Sequence, residues 1–312
     1  MSVVVKSAYD VFDIKFAESS VKYDLHATLF PDDGLRSGEL VEISGDSNSG
    51  KSLLLLELIA RAILPINCGG LERGALLIDC ENSFNRSVLL NIMEKHMLNN
   101  AEPALVGTLA DLRQKKTLQQ ESLTRLHLIT CYSLEQFDLT LLSLPQLFHN
   151  HKDIAFVLID SIATFYWNKC TPTKLVRQDS YLRGHCATLN KLAKTCKKIF
   201  LFTKPAHFPS NSGSWREFEL TASPSGLLDG STQASFSGNQ MFGSLSSKTS
   251  TASTVPIDHR IELSEINNPS PGASGQSTVD EQRFHAFITR MDKQQYVRFY
   301  LIDKYGFNWI DQ

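Results

Sequence analysis

"EISGDSNSGKSLLLLELIARAILP" (Glu42–Pro65) sets a glycine- and serine-rich turn between two strongly apolar segments. Within it Gly45, Asp46, Ser47, Asn48, Ser49, Gly50, Lys51 and Ser52 satisfy the pattern G-x-x-x-x-G-K-[ST]. Such glycines let successive backbone N–H groups turn inward around phosphate oxygens, while the lysine reaches the outer phosphates and the serine hydroxyl ligates Mg²⁺. The same pattern also arises in ordinary Gly/Ser turns, so context decides. Here a strand-like run (Leu40 to Ser44) precedes it and a helical pattern (Lys51 to Leu64) follows, which places the helix N-terminal dipole at the phosphates.

Working outward, "ELVEIS", "ALLIDC", "RLHLITC", "IAFVLID" and "KIFLFT" are short apolar runs, several almost continuous, as strands buried on both faces should be. The segments that begin near Lys51, Arg86, Leu134 and Val176 carry apolar residues at spacings of three and four. This βαβ alternation predicts an α/β fold with a mostly parallel central sheet and helices on both faces. Glu102 to Ser122 is polar and is expected to form a helix and loop.

Two acids fall where a phosphate loop needs them. "IAFVLID" ends in Asp160, suited to hold Mg²⁺ through water or Ser52. The alternative is an N-cap for the next helix. "LLIDCENSF" places Asp79 and Glu81 at a strand's carboxyl end, the edge at which ligands bind in open α/β sheets. Glu81 is the candidate to orient and deprotonate an attacking water; surface acids in a loop are the alternative. "TKPA" (Thr203 to Ala206) is close to a guanine-reading T-K-x-D, but Ala206 stands where the acid belongs. "FSGNQ" (Phe236 to Gln240) resembles a transporter-ATPase signature in the wrong order. Neither class fits.

After Asp160, Tyr166 and Trp167 are followed by Lys169, Lys174, Arg177 and Arg183. Aromatic and basic residues in this mix bind single strands by stacking and phosphate contact. They also serve as core aromatics and a solvated helix face, and "KLAKTCKK" (Lys191 to Lys198) reads as a solvated helix end.

Composition narrows the class. Of 312 residues, 42% are apolar and 21% charged, ordinary for a globular chain able to bury a full core. A formal net charge of -2 leaves any nucleic-acid contact to a local patch. The six cysteines lack C-x-x-C spacing and read as reduced thiols. No stretch reaches the about 18 apolar residues needed to span a bilayer, so the expectation is a cytosolic or nuclear protein without a membrane partner.

Residues 1–37 are expected to be an N-terminal arm, and 38–208 the core. From 209 to 278 Ser, Gly, Thr, Asn and Pro dominate, and such a stretch buries too little apolar surface to offset its ordering entropy, so a disordered insertion is expected. "RFHAFITRM" and "QYVRFYLID" flank "DKQQ", a predicted hairpin within residues 279–312 that returns to the edge of the sheet.

The order of parts resembles the RecA-like strand-exchange recombinases. "RAILP", "GGLE" (Gly69 to Glu72), "LLIDCENSF" and "LIDSIATFYW" (Leu158 to Trp167) are similar to the recombinase paralogues of that family. The resemblance covers roughly Gly38 to Pro205. It implies a RecA-like ATPase core in a nuclear hetero-oligomer of recombinase paralogues, acting in homologous-recombination repair of double-strand breaks on single-stranded or branched DNA. It implies ATP at Gly45 to Ser52, Mg²⁺ at Ser52 and Asp160, and a catalytic glutamate at Glu81. The basic segment after Trp167 corresponds to DNA loop one and the residues after Pro205 to loop two. Pro205 falls where active family members keep a glutamine that senses the γ-phosphate, and proline offers no side-chain polar group and no N–H.

Three functions follow: an ATP-binding subunit whose main work is assembly, a self-sufficient DNA-dependent ATPase, and a small-molecule P-loop kinase. The kinase fits worst, because the only lid-length segment, Pro209 to Ser277, holds just Arg216 and Arg260.

Overall fold

The computed structural model describes residues 20–31, 34–103, 107, 109, 111–170, 175–208, 255–266, 283–291 and 294–310. Two short strands, β1 (Lys22–Tyr23) and β2 (Leu35–Arg36), pair antiparallel with each other. The main sheet has nine strands: β3 (Leu40–Gly45), β4 (Gly74–Asp79), β5 (Leu126–Thr130), β6 (Ile154–Asp160), β7 (Ile199–Pro205), β8 (His259–Glu265), β9 (Arg283–Arg290), β10 (Gln295–Asp303) and β11 (Gly306–Ile310). Their spatial order is β11-β10-β9-β8-β3-β7-β6-β4-β5. From β8 to β5 neighbours run parallel, and from β8 to β11 they alternate. The α/β fold expected from the sequence, with its C-terminal hairpin in the sheet, is the fold observed.

The helices are α1 (Lys51–Ile63), α2 (Arg86–Asn100), α3 (Leu112–Leu123), α4 (Leu134–Asn150), the short α5 (Tyr166–Lys169) and α6 (Gln178–Cys196). Some of their starts are fixed by side-chain caps. The Asn85 side chain accepts from Ser87 N and Val88 N at the head of α2, and Ser133 Oγ accepts from Gln136 N at the head of α4. Strands β3, β4 and β6 are buried at every position because helices cover both faces. On one face α1 and α2 pack with Val41, Ile43, Leu77 and Leu158; on the other, α4 and α6 pack with Leu76, Ile78, Val157 and Phe200. No helix among the described residues is long and apolar enough to cross a membrane.

Two boundaries differ from the sequence expectation. Leu25, Leu29, Phe30 and Leu35, inside the expected arm, belong to the core beneath α1. Strand β8 lies inside the stretch expected to be a disordered insertion, yet it pairs in parallel with β3 from Val41↔His259 to Gly45↔Leu263. Its alternation buries His259, Ile261 and Leu263 while Arg260 and Glu262 face outward, a period-two signal diluted by the surrounding Ser, Pro and Gly. The remainder of the expected insertion, residues 209–254 and 267–278, lies outside the described residues, as does "FSGNQ".

Candidate nucleotide site

The Gly45–Ser52 loop leaves the carboxyl end of β3 and enters α1 at the middle of the sheet. Both glycines are required. A Cβ on Gly45 would stand 2.4 Å from Ser49 Oγ and 2.5 Å from the Leu263 carbonyl oxygen. Gly50 has φ +85°, where side chains are disfavoured, and a Cβ there would meet Ile302 Cδ1 at 2.8 Å and Phe307 Cζ at 3.0 Å. The loop is held from inside by Ser49 Oγ donating to Asp46 O at 2.8 Å, and from below by the Tyr300 hydroxyl donating to Ser49 O at 2.9 Å. Asp46, Ser47 and Asn48 are exposed at its rim.

Helix α1 begins on Gly50 with no side-chain cap. The first amides of a helix have no intrahelical acceptor, so an uncapped start beside Lys51 is chemically suited to an anion. Lys51 Nζ donates to Gly45 O at 2.9 Å and Asp46 O at 2.6 Å, which keeps the ammonium inside the loop. These features fit a polyphosphate.

Ser52 and Asp160 line one pocket, floored by Leu55 and Leu77 and flanked by Asp79 and Phe84. The two residues expected to hold Mg²⁺ thus line the same pocket. Asp160 is buried at the end of β6, and Thr203 Oγ1 donates to its Oδ1 at 2.6 Å, fixing the carboxylate from the neighbouring strand. Its carbonyl oxygen accepts from Cys80 N at 2.7 Å and Glu81 N at 3.1 Å, so the turn carrying Glu81 hangs on Asp160.

Asp79, in register with Asp160, is used differently. Its oxygens accept from Ser83 N at 3.2 Å and Phe84 N at 3.0 Å and so shape the Glu81 turn. Glu81 itself is exposed. Desolvation raises its carboxyl above the usual range, the Asp160 charge adds to this, and Lys51 opposes it. Lys51 is lowered by desolvation against the pull of Glu81, Asp160 and Asp46. Lys51, Glu81 and Asp160 thus act on one another within this site.

Pro205 is the last residue of β7, in register with Gly45, and Ala206 N donates to Gly45 O at 3.0 Å. Among the described residues, this main-chain bond ties the loop to the segment after β7. Thr203 and Tyr300 are contributors that motif reasoning misses. Thr203 stands within "TKPA", and Tyr300 is marked only by its inward position in an alternating strand.

The expected DNA segment divides. Tyr166 is not a stacking platform: it is buried, its hydroxyl donates to Val176 O at 2.6 Å, and its ring packs against Tyr181 and Phe208. The apolar surroundings at the end of β6 outcompete solvent for it. Trp167, by contrast, is 69% exposed, and Lys169 beside it is exposed. Arg177 and Arg183 both pair with Asp179, at 3.2 and 3.1 Å, which reduces the positive charge they present. Lys174 lies outside the described residues.

Known proteins resemble this chain in sequence. The chain is 33% identical over 150 residues to the DNA repair protein XRCC2 of Mus musculus, covering 48% of this chain and 49% of that protein. It is 31% identical over 138 residues to the DNA repair protein rhp57 of Schizosaccharomyces pombe, covering 43% of this chain and 35% of that one. With the human DNA repair protein RAD51 homolog 2 it shares 29% identity over 163 residues, or 51% of this chain and 36% of the relative. The matched stretches span about half or less of each relative's length. The Rad51 family model matches residues 22–207, from β1 through the nucleotide loop and Asp160 to the end of β7. With more than half of its length inside that match, this chain belongs to the Rad51 family.

Proposed function

We propose that this chain is an ATP-binding subunit of a recombinase-paralogue complex in homologous-recombination repair of DNA double-strand breaks. In this reading it works in the nucleus with other RecA-like chains and assists the main recombinase on single-stranded or branched DNA. The observation that carries the proposal is the meeting of the uncapped Gly45–Ser52 loop with Ser52 and Asp160 in one pocket, in a chain whose relatives are DNA repair proteins. Ser52 and Asp160 would hold the Mg²⁺ that accompanies ATP and neutralises its phosphate charge. The loop amides and Lys51 bind and orient the phosphates, while Thr203 holds Asp160 in place.

Assembly is the main task under this proposal, and occupancy by ATP stabilises the folded, assembled state by mass action. A second reading, a DNA-dependent ATPase, is favoured by Glu81. Its carboxylate is made a stronger base by desolvation and Asp160, and it stands in the field of Lys51, where it could take a water proton on a carboxylate oxygen.

The test is affinity purification of the tagged chain from its own cells. Recovery of other RecA-like chains, lost with Lys51→Ala, is the expected result, and recovery of none overturns the assembly reading. Glu81→Gln separates the two readings. A variant that keeps ATP and complements repair-deficient cells supports assembly; one that keeps ATP and fails to complement supports hydrolysis.

A further inference from the structure

At the amino ends of the parallel strands, opposite the nucleotide loop, stands a second group of side chains. His127 on β5, His151 at the end of α4 and Asp153 just before β6 bring one imidazole nitrogen each and one carboxylate oxygen within 4.8 Å of one another. The two imidazole centroids are 4.5 Å apart, with planes at 58°. The geometry points to a binding site for a borderline-soft divalent metal ion, zinc first, held by His127, His151 and Asp153.

The backbone under each ligand is fixed. His127 is in ladder register with Leu76, His151 N donates to Leu147 O at 2.8 Å, and Asp153 O accepts from Gly74 N at 3.0 Å. Gly74 leaves the carboxylate its room, since a Cβ there would meet Asp153 Oδ2 at 2.6 Å. Lys198, whose charge acts with that of Asp153, directs its ammonium to the carbonyls of Lys152 and Ile154. The carboxylate therefore has no ammonium bonded to it among the described residues.

Ligand atoms about 2 Å from a tetrahedral ion lie about 3.3 Å from one another. Closing from at most 4.8 Å asks for side-chain rotations alone, and His151 and Asp153 are exposed and His127 half-exposed, so they can make them. Two imidazoles with one carboxylate suit zinc, nickel or copper and not Mg²⁺ or Ca²⁺, which seek oxygen. Three protein ligands leave a position for water. Once bound the ion would staple the end of α4 to β5, an edge strand of the sheet, and to β6.

The test uses the full chain stripped with a chelator and titrated with zinc chloride, then with cobalt chloride as a visible-absorbing substitute. Wild type should bind one equivalent more zinc than His127→Gln/His151→Gln and show a cobalt d–d band that the double variant lacks. Each single histidine variant should weaken that binding at least tenfold, whereas His149→Ala and Lys51→Ala should leave it intact. Asp153→Asn serves as a second probe should a histidine variant fold poorly. Equal zinc stoichiometry and equal cobalt spectra in wild type, the double variant and Asp153→Asn would overturn the assignment.

Discussion

Tyr300→Phe removes one oxygen atom from the C-terminal half of the sheet and should be felt in the nucleotide loop. Tyr300 is fully buried, stacked on Phe284 with centroids 5.3 Å apart and tilted onto Phe307 at 4.6 Å. The phenylalanine ring preserves those contacts. What it deletes is the hydroxyl that donates to Ser49 O at 2.9 Å, leaving a loop carbonyl without that donor. A buried acceptor so orphaned costs about 1–3 kcal/mol. Tyr300→Ala, which also empties the ring's space, should cost more, about 3–5 kcal/mol from cavity formation on top of the lost bond. Urea unfolding without nucleotide measures both, and an unchanged m-value keeps the comparison on stability. If the hydroxyl also sets the loop for phosphate, nucleotide affinity should fall roughly 5- to 30-fold for a cost of 1–2 kcal/mol. Tyr300→Phe unfolding at the wild-type midpoint, with nucleotide affinity unchanged, would refute the claim that β10 props the loop.

Other expectations concern the acid, the arm and the DNA segment. Thr203→Val takes a hydrogen bond from a buried carboxylate and should destabilise by about 1.5–3 kcal/mol in urea unfolding; Thr203→Ser, which keeps the donor, should recover most of this. His26 is buried against Trp309, and its pKa is held well below the usual imidazole value by desolvation, then by the charges of Arg61 and His96. The unfolded chain therefore takes up a proton near pH 6.5 that the folded chain refuses. His26 costs nothing above that pH, and stability falls with a slope of up to about 1.4 kcal/mol per pH unit as pH drops towards the folded value. His26→Phe should flatten this part of the acid limb in unfolding series run from pH 7.5 to 5.5. Trp167→Ala should weaken binding of single-stranded oligonucleotide without moving the unfolding midpoint, whereas Tyr166→Phe should lower stability by about 1 kcal/mol and leave oligonucleotide binding alone. Fluorescence anisotropy beside thermal unfolding separates the two.

The parts of this molecule that sequence makes legible are those where one local pattern suffices. Gly45, Gly50, Lys51 and Ser52 are fixed by a loop whose chemistry dictates residue type at each position. Strand β6 could be read because burial on both faces demands an unbroken apolar run. Strand β8 could not, because its inward face carries only two apolar residues, Ile261 and Leu263, beside His259, amid linker-like composition. Tyr166 shows where local pattern does not suffice: of the stacking and core readings that its neighbourhood allows, the core one holds because of Tyr181 and Phe208, which are distant in sequence and arrive only with the fold. Thr203 and Tyr300 serve the site from strands whose pairing partners no motif names.

Pro205 bears on which of the two proposed functions this site supports better. A side chain that senses the γ-phosphate would link ATP to the segment beyond β7; among the described residues the loop's main-chain link there is the Ala206 N to Gly45 O hydrogen bond, on a carbonyl that Lys51 also holds, while Thr203 on β7 bonds Asp160. One such bond contributes about 1 kcal/mol net. Driving a two-state element from nearly all one form to nearly all the other takes a differential of about 5.5 kcal/mol. Even complete loss of the Ala206 bond on nucleotide release would shift such an equilibrium only about fivefold. That is enough to tune a contact and too little to throw a switch. Occupancy of the loop, in contrast, stabilises the folded chain in proportion to the logarithm of ATP concentration without any sensor. Under the proposed function, the contact at Pro205 therefore suits a subunit that holds ATP to stay assembled better than one that cycles on DNA.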